Sequence, residues 1–228
     1  MAAASAAPST STPSTLAGNG VADLEPAAIV KKAKSALAEA KSFRFEGVVH
    51  SVDEHSVGTS FALDFKVRGA DVLGALTIDG STVELLRVGK KAYMRPYEAF
   101  WKASIGNASQ AKKVMAVVKG RWVLVPPTNK DFDNMFNYAD ANRLIDADSA
   151  YTKGDIQMID GKQAVAIKDT SSDPGTLFVA VEGPPYPLRM DGGIQLGGIL
   201  TFTDFGSDFA DLKAPSASKI VDLATLAG

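Results

Sequence analysis

Turn signals that recur about every ten residues constrain the fold of this chain more than any other feature. Arg68-Gly69, Asp79-Gly80 and Val88-Gly89 each separate two short stretches rich in apolar and β-branched residues. Two-residue turns of this kind join antiparallel neighbours, because their twist matches that of the strands they connect. The strands predicted after these turns are 71–78, 82–87 and 91–95. The first half of the chain is therefore predicted to be a meander rather than a parallel βαβ arrangement.

Two stretches ahead of these turns alternate apolar and polar residues, which is typical of half-buried strands. The apolar set is Phe43, Phe45, Val49, Phe61, Leu63, Phe65 and Val67. The intervening set, predicted to face water, is Arg44, Glu46, Asp64 and Lys66. Since a shift of one residue in the pairing would exchange the two faces, a structure tests this assignment directly.

Helical spacing replaces the strand pattern in three places. Pro26 suits the first turn of a helix whose apolar residues repeat every three to four positions. Asn107 is predicted to cap a second helix, which ends at the left-handed position of Gly120. A further short helix is predicted over 138–147.

The last third returns to strands. The remaining predicted strands are 121–125, 155–159, 162–168, 176–181, 186–190 and 198–204. About ten strands in hairpin order are too many for a small flat sheet. The predicted fold class is therefore α+β, with a strongly curved antiparallel sheet, or half-open β-barrel, and helices covering its concave face. One such domain is expected over residues 23–228, because no second boundary and no internal repeat is visible.

The first 22 residues are predicted to be a disordered tether. Residues 2–20 are almost all Ala, Ser, Thr, Pro and Gly, and the first charged side chain is Asp23. Such a segment buries too little apolar surface to offset the entropy of ordering it. It has no basic start and no apolar stretch, so it is not a signal peptide. Two interpretations remain open: an ordinary flexible terminus, or the spacer that holds a lipid-anchored domain off a membrane.

Composition and motifs argue against several function classes. The net charge of −2 shows no basic footprint for nucleic acid, and the absence of cysteine excludes disulfides and thiolate chemistry. No nucleophile-elbow, phosphate-loop or dinucleotide motif occurs. His50 and His55 are the only histidines, and the pair is interpreted as part of a solvated turn rather than a metal site. The prediction is a protein with no catalytic residue, no metal and no cofactor.

Apolar residues on both the strands and the helices are the feature that remains. The predicted lining of an apolar cavity is Phe43, Phe45, Val49, Phe61, Leu63, Phe65, Met94, Phe100, Trp101, Val114, Met115 and Val118. Two interpretations use the same residues: a close-packed core, or a cavity left where a curved sheet is too large for its helices to fill. A cavity of that kind would suit an acyl chain. Composition does not choose between them.

Several motifs in fixed order add a resemblance to a known family. They are 88–94 (VGKKAYM) with Phe100-Trp101, 120–123 (GRWV), 187–189 (PLR), 201–205 (TFTDF) and 214–215 (AP). With these motifs the chain resembles the LppX/LprA/LprF/LprG-type lipoproteins of the actinobacterial cell envelope, within the LolA/LolB-like lipoprotein-carrier superfamily. Their order and spacing agree from about Leu24 to the C-terminus, so the likeness covers the whole predicted domain.

The resemblance implies a half-barrel with helices over its mouth and an apolar cavity that binds the acyl chains of a lipid or glycolipid. It also implies an extracytoplasmic protein, anchored to the cell membrane through a lipidated N-terminal cysteine and linked to lipid transport across the envelope. The chain has no cysteine, so such an anchor lies outside these residues. The resemblance also implies a partner protein, which would be a transporter or a regulator in the cell envelope. The alternative is a LolA-like sensor that binds a membrane regulatory protein, and an enzyme comes third.

Overall fold

The computed structural model describes residues 18–51, 59–105, 107–139, 145, 149–171, 175–192 and 196–222. Within these ranges, twelve strands form one open, curved sheet whose inner face is covered by helices, which confirms the predicted α+β half-barrel. Residues 1–17 of the predicted tether, most of the predicted helix 138–147 and His55 lie outside the described residues.

The strands follow one another mainly as hairpins. They are Ser42–Ser51 (β1), Ser60–Arg68 (β2), Asp71–Ile78 (β3), Ser81–Val88 (β4), Lys91–Pro96 (β5), Trp122–Val125 (β6), Tyr151–Ile159 (β7), Lys162–Asp169 (β8), Gly175–Ala180 (β9), Pro187–Gly192 (β10), Leu196–Thr203 (β11) and Ile220–Asp222 (β12). The α-helices are Pro26–Ala40 (α1), Glu98–Ile105 (α2), Ala108–Val118 (α3) and Lys130–Met135 (α4). Single 3-10 turns occur at Val21–Asp23, Phe136–Ala139 and Ala217–Lys219.

The strand order is β12-β6-β5-β4-β3-β2-β1-β11-β10-β9-β8-β7. Most neighbours are consecutive along the chain and antiparallel. Two pairings are not local: β1 pairs with β11, which joins the first meander to the last third, and β12 lies parallel to β6. The sequence predicted a strand for each of β1–β11, whereas the three-residue β12 is too short to show an alternation pattern.

Local sequence signals set the helix ends. Pro26 is the first residue of α1, as predicted. The Asn107 Oδ1 atom accepts hydrogen bonds from the backbone N–H groups of Ser109 and Gln110, at 3.0 and 3.1 Å, which confirms the predicted N-cap of α3. The left-handed turn that ends α3 begins at Lys119 (φ 47°), one residue before the predicted Gly120, which is also left-handed.

Burial along β1 and β2 separates the concave face from the convex face as predicted. The inward residues Phe45, Phe61, Leu63 and Phe65 are buried, and the outward residues Arg44, Glu46, Asp64 and Lys66 are partly or fully exposed. On the concave face, α1 packs on β1 and β7–β10, whereas α2 packs on β4 and α3. The helices therefore cover both halves of the inner surface.

Two glycines let neighbouring strands approach more closely than a side chain would permit. A Cβ atom at Gly47 of β1 would overlap the backbone of Ile199 in β11. One at Gly74 of β3 would overlap the carbonyl oxygen of Asp64 and the ring of Phe65 in β2. Glycines at such points allow a sheet to bend sharply, so the curvature of this sheet depends on them.

The segment 204–219, which we call the C-terminal strap, crosses the convex face between β11 and β12. Lys66 forms an ion pair with Asp211 of the strap at 2.6 Å, and Arg68 donates a 2.6 Å hydrogen bond to the carbonyl oxygen of Leu212. Leu212 is fully buried. The strap therefore contacts the outer side of β2 at its C-terminal end, and the chain then reaches β12 at the edge of the sheet.

Residues 18–22 of the predicted tether lie against the domain in the structure. Gly18 forms a β-bridge with Glu182, and the Asn19 N–H donates to the carbonyl oxygen of Val181 at 2.8 Å. Val21 is 2% exposed and belongs to the main core. The part of the predicted tether that the structure describes therefore contacts the domain, and the disorder of the segment as a whole stays a prediction.

A chain beginning at Leu24 is expected to be less stable than one beginning at Gly18 by about 2 kcal/mol, because it loses the buried Val21 and the hydrogen bonds of Asn19. Urea unfolding of the two chains measures the difference. The full chain serves as the control, since composition predicts the same free energy of unfolding for it as for the Gly18 chain. Equal values for all three chains would show that residues 18–22 do not stabilise the domain.

Candidate functional site

An aromatic cluster lies at the centre of the concave face. β1 and β2 pair in the register Phe45↔Phe65 and Val49↔Phe61, so their apolar side chains stand next to one another on the same side of the sheet. The ring centroids of Phe45 and Phe65 are 5.5 Å apart, and the ring of Phe202 in β11 lies 6.0 Å from that of Phe45. The sheet therefore presents a continuous apolar surface to the helices.

The helices α2 and α3 cover another part of the same concave face, where α2 packs on β4. Trp101 of α2 and Val118 of α3 are buried in the same cluster as the strand residues. Phe100, Val114 and Met115 pack against the cluster but are only half-buried. These three residues thus form a border at which the apolar interior reaches the surface of the protein.

The structure brings all twelve residues predicted as cavity lining into this one cluster, nine of them buried and three half-buried. The alternation in β1 and β2 therefore placed the strand members of this set on the concave side of the sheet. Burial alone does not test contact with a ligand, so their role as a lining stays a prediction.

Two further groups of interior residues were not predicted as part of the site. The first is the buried face of α1, made of Ile29, Val30, Ala33 and Leu37. The second is the inner side of β11, with Leu200 and Phe202. The apolar stripe of α1 was visible in the sequence, but nothing local says which strands it covers. The alternation within the predicted strand 198–204 could have identified Phe202.

One polar atom in this interior has no partner. Trp101 is 7% exposed, and its indole Nε1 has no hydrogen-bond acceptor. Its ring meets the ring of Phe100 edge-on, with the centroids 6.4 Å apart. Among the described residues, this nitrogen is the one fully buried side-chain polar atom left without a hydrogen bond.

A cavity of about 280 Å³ lies at the rim of the concave face, beside the β4–β5 turn. Its apolar walls include Val125 and Phe132, which belong to the main cluster, and its charged walls are Arg87 and Lys90. The Arg87 guanidinium lies 4.1 Å from the ring centroid of Phe136. The rim therefore places positive charge next to the apolar interior.

The shifted pKa values belong to ion pairs near the surface. A hydrogen bond to Glu84 raises the pKa of Arg95, and a hydrogen bond from Lys66 lowers the pKa of Asp211. Among the described residues, Ser42 is the only buried one with a polar or charged side chain outside the aromatic class. The part of the apolar cluster that the structure describes therefore contains no pair of titratable groups for acid–base chemistry.

The ranges that the structure describes hold no group of three His, Asp or Glu side chains arranged to bind a metal ion. His50 is exposed on β1, opposite Ser60, and His55 lies outside the described residues. The interpretation of the two histidines as part of a solvated turn stays a prediction. No described helix has the length and apolar character needed to cross a membrane.

The fold of this chain, an open twelve-stranded sheet with a helix-covered concave face, is similar to the folds of two solved mycobacterial lipoproteins. The lipoprotein LppX of Mycobacterium tuberculosis is similar at a TM-score of 0.52 with 12% identity, over 80% of this chain and 96% of that chain. LprF from Mycobacterium bovis is similar at a TM-score of 0.54 with 14% identity, over 83% and 96% of the two chains. The resemblance drawn from the sequence motifs is thereby confirmed at the level of the fold. No protein-family model matches the sequence, and no curated protein is significantly similar to it.

Proposed function

We propose that this protein binds the acyl chains of a lipid or glycolipid between the concave face of its sheet and its helices, and carries or presents that lipid in the cell envelope. The observation that supports the proposal best is the single apolar cluster shared by β1, β2, α2 and α3. Three of its members, Phe100, Val114 and Met115, are only half-buried. A chain entering between the helices would meet apolar side chains along its whole path.

The energetics of such binding are favourable. Transfer of an acyl chain from water stabilises the complex by about 0.8 kcal/mol per buried methylene, so a partly enclosed chain is already held firmly. The rim cavity beside Arg87 and Lys90 adds positive charge at the edge of the apolar region. A lipid with its chains inside and its polar group at the rim would match both environments.

The proposed location is extracytoplasmic, with attachment to the membrane through a lipid anchor that precedes these residues. Two observations support it: the fold shared with the lipoprotein LppX, and the Ala/Ser/Thr/Pro-rich stretch ahead of Gly18. A membrane transporter or regulator would be the protein partner of such a carrier.

Native mass spectrometry of the protein after incubation with phosphatidylglycerol vesicles tests the proposal. The expected result is a second mass peak that exceeds the mass of the chain by one or two lipid molecules and disappears under denaturing conditions. The denatured sample is the control, because it supplies the mass of the empty chain. A chain that stays empty after purification and after incubation would contradict the carrier function and favour the regulator-binding alternative.

A further inference from the structure

The unpartnered indole nitrogen of Trp101 carries an inference about the chemistry of the ligand. An indole N–H is a donor only, and buried donors in folded proteins are nearly always paired. Trp101 lies on α2, which packs on β4 and α3, and its Nε1 atom is fully buried without an acceptor. Such a donor within a proposed binding region indicates that an acceptor arrives with the ligand.

The described surroundings of Trp101 favour a ligand over a trapped water molecule. A buried water is held by two to four polar partners. The cluster around Trp101 consists of apolar and aromatic side chains. Ser42, the one buried polar residue of the described chain, donates its hydroxyl to the carbonyl oxygen of Ser207 on the convex side. The described residues therefore supply no buried polar side chain as a second partner for a water molecule at Trp101.

The acceptor should also be uncharged. Burial of a carboxylate is costly unless a cation accompanies it. No Lys or Arg side chain is buried within the described ranges. A neutral carbonyl, which needs one donor and brings no charge, matches a site with one N–H in apolar surroundings.

We propose that Trp101 Nε1 donates a hydrogen bond to the carbonyl oxygen of an esterified acyl chain, so that the protein selects acyl esters over free fatty acids and alkanes. This inference rests on the proposed function, since it names the ligand class of the same apolar region. Trp101 acts as a specificity residue, and the remaining cluster supplies affinity without regard to the ester group.

The test compares methyl palmitate with hexadecane, each delivered from cyclodextrin in competition with a fluorescent acyl probe. The Trp101→Phe variant keeps an aromatic ring and removes the N–H group. The ratio of ester affinity to alkane affinity is expected to fall about tenfold in this variant, which corresponds to the loss of one hydrogen bond in apolar surroundings. Trp122→Phe is the matched control, because Trp122 is the only other tryptophan of the chain. It lies outside the main cluster, in a separate buried cluster with Leu86 and Tyr93. Its ratio should equal that of the wild type.

A spectroscopic measurement keeps the test valid if Trp101→Phe lowers stability. The two tryptophans give two indole N–H signals in a nitrogen-15 NMR spectrum of the wild type. Methyl palmitate is expected to move the Trp101 signal to lower field, and hexadecane should move it much less.

The outcomes separate the two proposals. If neither probe binds the wild type, the proposed function fails and the ester inference fails with it. If both probes bind but the affinity ratio is the same in the wild type and in Trp101→Phe, the ester inference is overturned and the lipid-binding function stands. Tighter binding of palmitate than of methyl palmitate would overturn the choice of a neutral ester.

Discussion

A Val114→Trp variant is expected to lose lipid uptake by about tenfold or more, while its melting temperature stays close to that of the wild type. Val114 is half-buried on α3 and packs against the main cluster. A tryptophan there would occupy the space of several methylenes, each worth about 0.8 kcal/mol of binding. Uptake from phosphatidylglycerol vesicles and thermal melting of the same sample give both quantities.

Val117→Trp is the matched control for this prediction. Val117 lies on the same helix but is 47% exposed, so a tryptophan there should change neither uptake nor stability much. If the region under Val114 is a packed core without a cavity, Val114→Trp would instead overpack it and cost about 1–3 kcal/mol. A large drop in melting temperature, together with a lipid-free wild type, would contradict the carrier function.

A Gly47→Ala variant is expected to lose about 3 kcal/mol of folding free energy or more. The added Cβ atom would overlap the backbone of Ile199 in β11, and no side-chain rotation relieves an overlap between backbone and Cβ. The overlap falls on the β1–β11 pairing, which joins the two halves of the sheet. Chemical unfolding monitored by circular dichroism measures the loss.

Gly197→Ala provides the comparison within the same strand pair. Gly197 lies in β11 opposite His50, and a Cβ atom there would meet nothing within 4 Å. Both substitutions reduce the entropy of the unfolded chain by a similar amount, about 0.4–1 kcal/mol. Gly197→Ala should therefore leave stability unchanged or slightly higher. Equal losses for the two variants would show that close approach of β1 and β11 is not the cause.

The local part of the fold was predictable because hairpins depend on neighbouring residues. Asp79-Gly80 forms the turn between β3 and β4, and the next predicted turn, Val88-Gly89, lies one residue before the observed turn at Gly89-Lys90. Alternation in β1 and β2 identified the inward side of each strand. The cap at Asn107 depends on hydrogen bonds within three residues, so it too could be read from the sequence.

The non-local part could not be predicted, because it depends on contacts between distant segments. Nothing near β1 indicates that its second neighbour is β11, and the strap gives no periodic signal before it reaches Ile220–Asp222. The same limit applies to the candidate site. Alternation identifies the inward side of each strand, Phe202 included, whereas the position of Phe202 beside Phe45 follows only from the pairing of β1 with β11. The missing partner of Trp101 Nε1 is a property of three-dimensional surroundings alone.

The position of β1 in the strand order has a consequence for the timing of folding. β1 lies between β2 and β11 in the finished sheet, but β11 follows it by about 150 residues along the chain. β1 therefore has no partner on that side until β11 also becomes available for folding. During that time one row of its backbone N–H and C=O groups is open to pairing with another chain. β1 lies inside the finished sheet, but until β11 pairs with it β1 is an open edge strand to which another chain can bind.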